Sequence, residues 1–423
     1  MQIPLVEKTI LSNGLTIISE TIPSLKSVAV GILVGAGSAD ELDGEEGLTH
    51  FIEHMAFKGT PKRSAFQIAS DLDSVGGRLN AYTSKEYTLY YAMVLDRHLG
   101  LATDVLSDIF LNPSLKPEDI DMERGVILEE INMYEDAPDD LIHDIFINTI
   151  VKGHPKGRPT LGTKKTVASF TRESFLNYRN RLYKPNNVIV SGAGNLTHKE
   201  FVAMVKAHFD KFEGAVEKRE AILPTINSTV TLTTKKTEQV HLCLGTQGIS
   251  QFDDRRYVLS IIETILGGSM SSWLFQEIRE KRGLAYTVYS SALPFADFGL
   301  FYVYAGTEKK NLEQVVALII QQFAKVKEQG FSDDEIARAK EHLKGGLVLG
   351  LESSSARMSY IGKTEFYYKR GIPFDEIFEK VDAVTKKDIH ELAQEIFDEN
   401  RLTLTVIGDL EVLPDSVKKL SLK

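Results

Sequence analysis

The first half of the chain alternates between short β-prone runs and longer stretches in which apolar residues recur every three or four positions. Two strands are predicted by the runs LTIISETI and SVAVGILVGAG. Helical spacing follows at about 46–58 and 64–75, and again at about 97–110 and 117–134. Between these helix pairs, the polar Ser84-Lys85-Glu86 separates the two β-prone runs of GGRLNAYTSKEYTLYYAMV, which predicts an antiparallel hairpin.

The second half repeats this order with altered residues. The run VHLCLGTQGI predicts a strand, and RRYVLSIIETILG and SMSSWLFQEIREKRG each predict a helix. The segment AYTVYSSALPFADFGLFYVYAGT then predicts a pair of strands, and two helical runs follow it. We therefore predict an α+β fold of two homologous domains, residues 1–212 and 230–423, each a mainly antiparallel sheet packed with helices. The charged, proline-containing segment 213–229 is the predicted linker.

Composition narrows the chemistry. The 423 residues exceed what one hydrophobic core usually serves, which agrees with two domains. A net charge of -10 argues against nucleic acid as the main partner. Cys243 is the one cysteine, so an intramolecular disulfide and a four-cysteine zinc cluster are excluded. Any metal site must use histidines and carboxylates.

Targeting signals are not visible in the sequence. The start of the chain, MQIPLVEKTILSNGL, lacks a basic region followed by an apolar run of signal-peptide length. No uninterrupted apolar stretch of ~18 or more residues follows. We predict a cytoplasmic protein without a membrane partner.

His50, Glu53 and His54 share one face of the predicted helix over 46–58. At ~100° per residue, Glu53 falls at about 300° and His54 at about 40° from His50. The opposite, core-facing side is formed by Leu48, Phe51, Ile52, Met55 and Ala56. Histidines at i and i+4 can direct ring nitrogens at one metal ion, but they also occur on the solvated face of an ordinary amphipathic helix. Two histidines do not complete a metal site.

The helix predicted over 117–134 offers a third ligand. Glu123 and Glu130 fall within an arc of apolar residues, whereas Glu129 falls at its margin. The arc is formed by Met122, Val126, Ile127, Ile131 and Tyr134. A carboxylate that faces the interior must be paired, protonated or bound to a cation, and pairing with Arg or Lys is a common solution. Glu130 is the ligand candidate, and Glu123, two turns away, is a candidate partner of a ligand.

These residues resemble a known family. His50-Phe51-Ile52-Glu53-His54, with Glu130 placed 76 residues after His54, is similar to the inverted zinc motif of the pitrilysin, insulysin and mitochondrial processing peptidase family. The resemblance covers the whole chain and is most like bacterial processing-peptidase-like members. It rests on HFIEHMAFKGT, GGRLNAYTSKEYTLYYA, ERGVILEEINMYEDAPDD, GHPKGRPTLGT and LFQEIREKRGLAY, which follow the family's order.

The resemblance implies one zinc ion per chain, held by His50, His54 and Glu130, with a water in the fourth position. Glu53 is then the general base that takes the proton of this water. The chemistry agrees, because zinc lowers the pKa of bound water to ~7 and polarises the scissile carbonyl, yet a nearby proton acceptor is still needed.

The resemblance also implies where substrate binds. The strand that contains Asn80 and Ala81 looks like the family's exposed edge strand, to which a peptide adds as a further strand. Arg279 and Tyr286, in REKRGLAY, match an Arg and a Tyr that contact substrate near the zinc, the Tyr helping to stabilise the oxyanion. Without the family, these two residues are an ordinary surface Arg and an ordinary strand Tyr.

The function that the resemblance implies is that of a zinc-dependent endopeptidase acting on peptides or unfolded segments in an enclosed chamber. A two-domain chain is expected to form a homodimer around that chamber, with a heterodimer containing an inactive paralogue as the variant. The second half has SIIETIL where the first has HFIEH, so only one half is expected to be active. The alternative is a non-catalytic structural or partner subunit, a class in which the zinc motif is usually broken, whereas here it is intact.

Overall fold

The computed structural model of the protein describes residues 6–217 and 222–422. Residues 218–221, which belong to the predicted linker, lie outside the described residues, as do residues 1–5 and 423. The strands are β1 (Val6–Ile10), β2 (Thr16–Thr21), β3 (Ser27–Val34), β4 (Arg78–Thr83), β5 (Thr88–Leu95), β6 (Val188–Gly194), β7 (Val230–Thr234), β8 (Val240–Gly248), β9 (Ala285–Pro294), β10 (Gly299–Thr307) and β11 (Thr403–Gly408).

The α-helices of the described ranges are α1 (Leu48–Ala56), α2 (Ala65–Asp73), α3 (Leu99–Leu111), α4 (Pro117–Glu135), α5 (Pro138–Ile150), α6 (Lys164–Ser169), α7 (Arg172–Leu182), α8 (His198–Phe209), α9 (Arg256–Gly267), α10 (Leu312–Gln329), α11 (Asp333–Gly350), α12 (Ser354–Tyr368), α13 (Phe374–Ala383) and α14 (Lys386–Ile396). Helices α1 to α4 begin and end close to the predicted positions. The helix predicted over SMSSWLFQEIREKRG was too long, since its main regular part is a π-helical segment, Phe275–Glu280. Gly283, with φ of +60°, follows this segment.

The chain forms two compact units that are not continuous in sequence. Among the described residues, unit 1 consists of 6–132, 158–217 and 348–373, and unit 2 of 133–157, 222–347 and 374–422. The division by sequence repeat, 1–212 and 230–423, therefore differs from the division by contacts at two segments. One segment carries α5 and belongs to unit 2, and the other carries α12 and belongs to unit 1.

Both units contain the same kind of sheet. In unit 1 the strand order is β1-β2-β6-β3-β5-β4, and in unit 2 it is β7-β11-β8-β10-β9. Each sheet is antiparallel except for one parallel pair, β2 with β6 and β7 with β11. With β1 removed, the two orders correspond strand by strand. The predicted α+β fold with an internal repeat is confirmed.

The helices explain how each sheet is buried on both faces. In unit 1, one face packs against α1, α3, α7 and α8, and the other face packs against α12 through Met358 and Ile361. In unit 2, α9, α10 and α14 cover one face and α5 covers the other through Phe146 and Ile150. Buried apolar surface on both faces is what near-continuous apolar strands such as β3 and β6 require.

Across residues 6–217 and 222–422, no helix has both the length and the apolar character that are needed to span a bilayer.

Candidate metal centre

Helix α1 carries His50, Glu53 and His54 on one face, and its opposite face is buried. Its core side, formed by Leu48, Phe51, Ile52, Met55 and Ala56, is fully buried in unit 1, as predicted. Gly47 precedes the helix with φ of +93°, a backbone conformation that favours glycine. His50 and Glu53 are themselves buried, so their face of the helix is not an ordinary solvated one.

A buried carboxylate caps the start of this helix. Glu41 accepts hydrogen bonds from the backbone N–H groups of Gly47 (3.0 Å) and Thr49 (2.8 Å). These are among the N–H groups that a helix leaves without intrahelical partners, and Gly47 has no side chain to cap them. Burial raises the pKa of Glu41 to about 8, against the effect of these hydrogen bonds. No pattern in the sequence predicts this contact, because the two partners come from a loop and a helix end.

Removing this cap should destabilise unit 1. Glu41→Ala leaves two buried N–H groups without acceptors, so we expect the free energy of unfolding to fall by about 2–4 kcal/mol. Asp43→Ala is the control, since the Asp43 side chain is 94% exposed and its loss should change stability by under ~0.5 kcal/mol. Chemical denaturation measures the total, and hydrogen exchange of the α1 amides locates it. Equal stability of the two variants would contradict the capping role.

Glu130 of α4 completes a three-residue cluster with the two histidines. Its Oε2 lies 3.9 Å from His50 Nε2 and 3.7 Å from His54 Nε2. Ligand atoms of the three side chains all lie within 4.8 Å of one another, the one such group of His, Cys, Asp or Glu found across the described ranges. The two imidazole rings stand 4.5 Å apart between centroids. The structure thus brings together His50, His54 and Glu130.

The reason given for Glu130 from the sequence was wrong. Met122 and Val126, assigned to an interior-facing arc, are 70% and 49% exposed. The buried side of α4 is instead formed by Ile120, Glu123, Ile127 and Ile131. The Glu130 side chain is 42% exposed and lies at the edge of that buried side. It reaches the histidines from this edge, not from the middle of an apolar stripe.

Glu123 connects the cluster to a lysine. One carboxylate oxygen of Glu123 lies 2.8 Å from His54 Nδ1, and the other pairs with Lys58. Burial alone would raise the pKa of Glu123, but the contacts with His54 and Lys58 outweigh it and lower this pKa. An ionised Glu123 favours a proton on His54 Nδ1, which leaves the Nε2 lone pair directed at the cluster. Lys58 was not identified from the sequence.

The Glu53 side chain is hydrogen-bonded to a residue of the unit 1 sheet. Its Oε2 accepts a hydrogen bond from the hydroxyl of Thr83, the last residue of β4, at 2.6 Å. Burial raises the pKa of Glu53, while the Thr83 hydrogen bond and the neighbouring His54 lower it. Thr83, like Glu41 and Lys58, was not identified from the sequence.

Asn80 and Ala81 lie in β4, which is an edge strand. Within the described residues β4 pairs only with β5, with Asn80 opposite Tyr91 and Ala81 opposite Tyr90. The Ala81 N–H donates to the Asn80 side chain at 2.8 Å. The other side of β4 is therefore free of a strand partner.

Arg279 and Tyr286 lie in unit 2 and contact each other. The Arg279 guanidinium stands 4.6 Å from the centre of the Tyr286 ring and 4.7 Å from that of Phe275. Tyr286 is 74% exposed, which is unusual for a tyrosine on a strand.

In unit 2, α9 occupies the place of α1 but carries no ligand set. Ser260 and Thr264 stand where α1 has its histidines, and their hydroxyls donate to backbone carbonyls of α9 itself. Glu263, at the place of Glu53, accepts from the Ala292 N–H at 3.2 Å. Burial raises the pKa of Glu263 to about 7. This second copy has structural hydrogen bonds in place of a metal cluster.

Comparison with known proteins assigns the chain to a family. Residues 16–164 match the family model described as insulinase, peptidase family M16, and residues 169–343 match the model described as the peptidase M16 inactive domain. The chain belongs to peptidase family M16. The first match contains His50, His54 and Glu130, whereas the second match, which begins within unit 1 and includes α9, contains none of these three residues.

Two bacterial relatives match the chain almost end to end. An uncharacterized zinc protease of Streptomyces coelicolor is 43% identical over 415 residues, which cover 96% of this chain and 90% of the relative. An uncharacterized zinc protease of Bacillus subtilis is 40% identical over 396 residues, covering 94% and 97%. The similarity therefore extends over nearly the whole of this chain and nearly the whole of each relative.

Solved structures show the same M16 fold. A protease from Helicobacter pylori superposes with a TM-score of 0.87 at 22% identity, covering 96% of this chain and 100% of the other. A Pseudomonas fluorescens protein described as a peptidase M16 inactive domain has a TM-score of 0.88 at 18% identity, covering 96% and 98%. At these identities the likeness concerns the fold alone.

Proposed function

We propose that this chain is a zinc-dependent endopeptidase that hydrolyses peptide bonds in peptides or unfolded polypeptide segments. The observation that carries the proposal is the cluster of His50, His54 and Glu130 with the carboxylate of Glu53 on the same helix. The names of the two relatives, both zinc proteases, support it. The proposed stoichiometry is one zinc per chain.

The spacing of the cluster suits a cation. Distances of 3.7 and 3.9 Å between ring nitrogens and the Glu130 oxygen are too long for hydrogen bonds. With bonds of ~2.0–2.1 Å, the ligand atoms of tetrahedral zinc stand roughly 3.4 Å apart. Two imidazoles and one carboxylate are also a frequent donor set of catalytic zinc. The residues present therefore fit zinc.

His50 supports the same conclusion. Its Nε2 faces Glu130, and its buried Nδ1 has no hydrogen-bond partner within the described residues. Burial, together with the adjacent His54, lowers the pKa of His50 to about 3. A neutral imidazole with a free lone pair is the form that binds a metal.

Catalysis then depends on how the chain handles one proton. A bound zinc ion supplies Lewis acidity, which lowers the pKa of water to ~7 and polarises the scissile carbonyl. Glu53 accepts the proton of the attacking water and returns a proton to the leaving amine. Its buried setting favours this exchange, because a raised pKa brings a carboxylate closer to the working pH. Glu123 keeps His54 oriented throughout.

Substrate binding is proposed at the open side of β4. A peptide that adds there as an antiparallel strand would hydrogen-bond to the backbone of β4, which gives affinity with little demand on sequence. The Ala81 N–H is one donor at this side, at present satisfied by Asn80. Asn80 and Ala81 are therefore the proposed substrate-binding residues.

Arg279 and Tyr286 are proposed to contact substrate, with Tyr286 stabilising the oxyanion. The exposure of Tyr286 and its contact with the Arg279 cation support an available hydroxyl. Tyr286→Phe should lower kcat by about 100-fold, while KM changes by less than about threefold. Tyr289→Phe makes the same chemical change on the same strand, where the hydroxyl contacts His143, and should leave kcat within about twofold. Steady-state kinetics on one peptide decide this, and an effect confined to KM would contradict an oxyanion role.

A homodimer is the proposed assembly. A two-domain M16 chain would need a second copy to enclose a chamber, and such a chamber would favour peptides over folded proteins. The variant is a heterodimer with an inactive paralogue. Analytical ultracentrifugation of the purified single chain distinguishes them, because only the homodimer forms without a partner.

The alternative function is a non-catalytic partner subunit. The description of one matched model as an inactive domain favours it, but that match covers residues 169–343 and excludes the cluster. Because the three candidate zinc ligands are all present in this chain, missing ligands cannot be the reason for a lack of catalysis. We therefore propose the endopeptidase.

A mixture of unstructured peptides tests the function. After incubation with the protein, mass spectrometry of the products should reveal cuts at internal bonds, and a chelator should stop them. A tightly folded protein added as a control should remain uncut. Absence of cuts with a folded, zinc-loaded protein would overturn the endopeptidase and favour the partner subunit.

A further inference from the structure

One hydrogen bond joins Glu53, the proposed general base, to β4, the strand at which we propose that a peptide substrate binds. The Glu53 carboxylate is buried, and within the part of the chain that the structure describes its hydrogen-bond donor is the Thr83 hydroxyl, at 2.6 Å. Thr83 is the last residue of β4. The residue that fixes Glu53 is thus itself part of the edge to which a peptide would add.

Thr83 is held firmly from three directions. It pairs with Thr88 across the hairpin, and the turn beyond it is closed by the Ser84 N–H donating to the Tyr87 carbonyl at 2.9 Å. The carbonyls of Ser84 and Lys85 accept from the backbone of the loop at 38–39, at 3.0 and 2.9 Å. Strand, turn and loop therefore fix the backbone position from which the Thr83 hydroxyl reaches Glu53.

The same loop also contacts the helix that carries Glu53. The Thr49 hydroxyl donates to the Gly37 carbonyl at 3.3 Å, one residue before the loop positions that bind the turn. The Thr88 hydroxyl donates to the Ala36 carbonyl at 2.8 Å. Residues 36–39 thus bind both α1 and the hairpin, which keeps Thr83 and Glu53 at a fixed separation.

A hydroxyl donor has a particular effect on a carboxylate base. It occupies one oxygen, here Oε2, and leaves the other to exchange a proton with water. It also removes the freedom of the carboxylate to rotate, and small misplacements of a catalytic group cost large factors in rate. A neutral donor does this without placing a positive charge next to the base.

We propose that Thr83 is a positioning residue that holds the Glu53 carboxylate for proton transfer, an inference that rests on the proposed endopeptidase function. Thr83 acts through Glu53 and does not touch the metal ligands. Because it ends the substrate strand, it couples the place where peptide binds to the orientation of the base.

Three variants test this in the full-length protein. Thr83→Val keeps the shape and loses the donor, and kcat should fall about 10- to 100-fold with KM within about threefold. Thr83→Ser keeps the donor and should recover most of kcat. Thr103→Val is the matched control, since it makes the same change at a buried threonine of unit 1 whose hydroxyl donates to the Leu99 carbonyl within its own helix at 2.8 Å, and it should leave kcat within about twofold. Zinc affinity, measured by titration of metal-free protein, should be the same in Thr83→Val and wild type.

A readout without activity separates this inference from the function on which it rests. Crystal structures of metal-free wild type and Thr83→Val should show one Glu53 conformer in the first and several in the second. If wild type shows no peptidase activity, the function fails, and these structures still decide whether Thr83 holds Glu53. An unchanged Glu53 conformer, an unchanged kcat in Thr83→Val, or an equal loss of kcat in Thr103→Val would overturn the positioning role.

Discussion

The Glu53→Gln variant is expected to bind zinc as wild type does and to cleave peptides about 10²- to 10⁴-fold more slowly. Glutamine has the same shape, and its amide oxygen can still accept the Thr83 hydrogen bond, so the surroundings of residue 53 should persist. It cannot take a proton from water at neutral pH. The loss should therefore appear in kcat and not in zinc content.

Metal analysis and peptide kinetics on the same preparation measure this result. Glu46→Gln is the control, because Glu46 lies just before α1 and contacts Gly44 and Arg158 instead of the cluster. It should retain both zinc and activity. Full activity in Glu53→Gln would exclude Glu53 as the base.

The second large effect concerns the ligands. Glu130→Gln and His50→Ala should each abolish cleavage and strongly weaken zinc binding. Loss of a residue that only hydrogen-bonds to a zinc ligand lowers metal affinity by roughly 10- to 100-fold, and the loss of a ligand itself should lower it further. Each substitution removes a donor from a set of three, and two protein donors hold zinc poorly.

A control for this effect lies one residue away. Glu129 is exposed, and its carboxylate accepts from Asn132 within the same helix, so Glu129→Gln should bind zinc as wild type does. Thermal melting with added zinc gives an independent readout: free zinc at 100 times Kd should stabilise wild type by about 2.7 kcal/mol, and Glu130→Gln by far less. Wild-type zinc affinity in Glu130→Gln would remove Glu130 from the ligand set.

The pattern of apolar and polar residues was enough to predict the features that depend on residues close together in the sequence. The core side of α1 follows from apolar spacing, and the buried Leu48, Phe51 and Met55 have the orientation that this spacing requires. The same rotation brings His50 and His54 to one face. The hairpin of β4 and β5 follows from two β-prone runs around a polar turn.

The prediction of Glu130 shows where pattern fails. Met122 and Val126 were expected to face the interior, and both are exposed. Apolar spacing on a helix cannot show which of its apolar residues the neighbouring elements cover. Glu130 nevertheless reaches the histidines, because it lies at the edge of the buried side.

Contacts between residues that are far apart in the chain could not be predicted from the sequence pattern. Thr83 and Glu53 are 30 positions apart and lie on a strand and a helix. Glu41 and Lys58 likewise act through tertiary contacts that leave no periodic signal. The position of α12 was partly predictable. β3 and β6 are nearly continuous apolar strands, and such strands require helices or loops over both faces of their sheet. The sequence does not say which helix supplies that cover.

Zinc titration of metal-free protein, with peptide cleavage followed at each step, tests whether bound zinc makes this chain an endopeptidase. We expect no cleavage without metal, a rise in proportion to added zinc, and a plateau at one zinc per chain. Cleavage at the full rate by metal-free protein, or no cleavage at any zinc content in a folded chain, would contradict the proposed function.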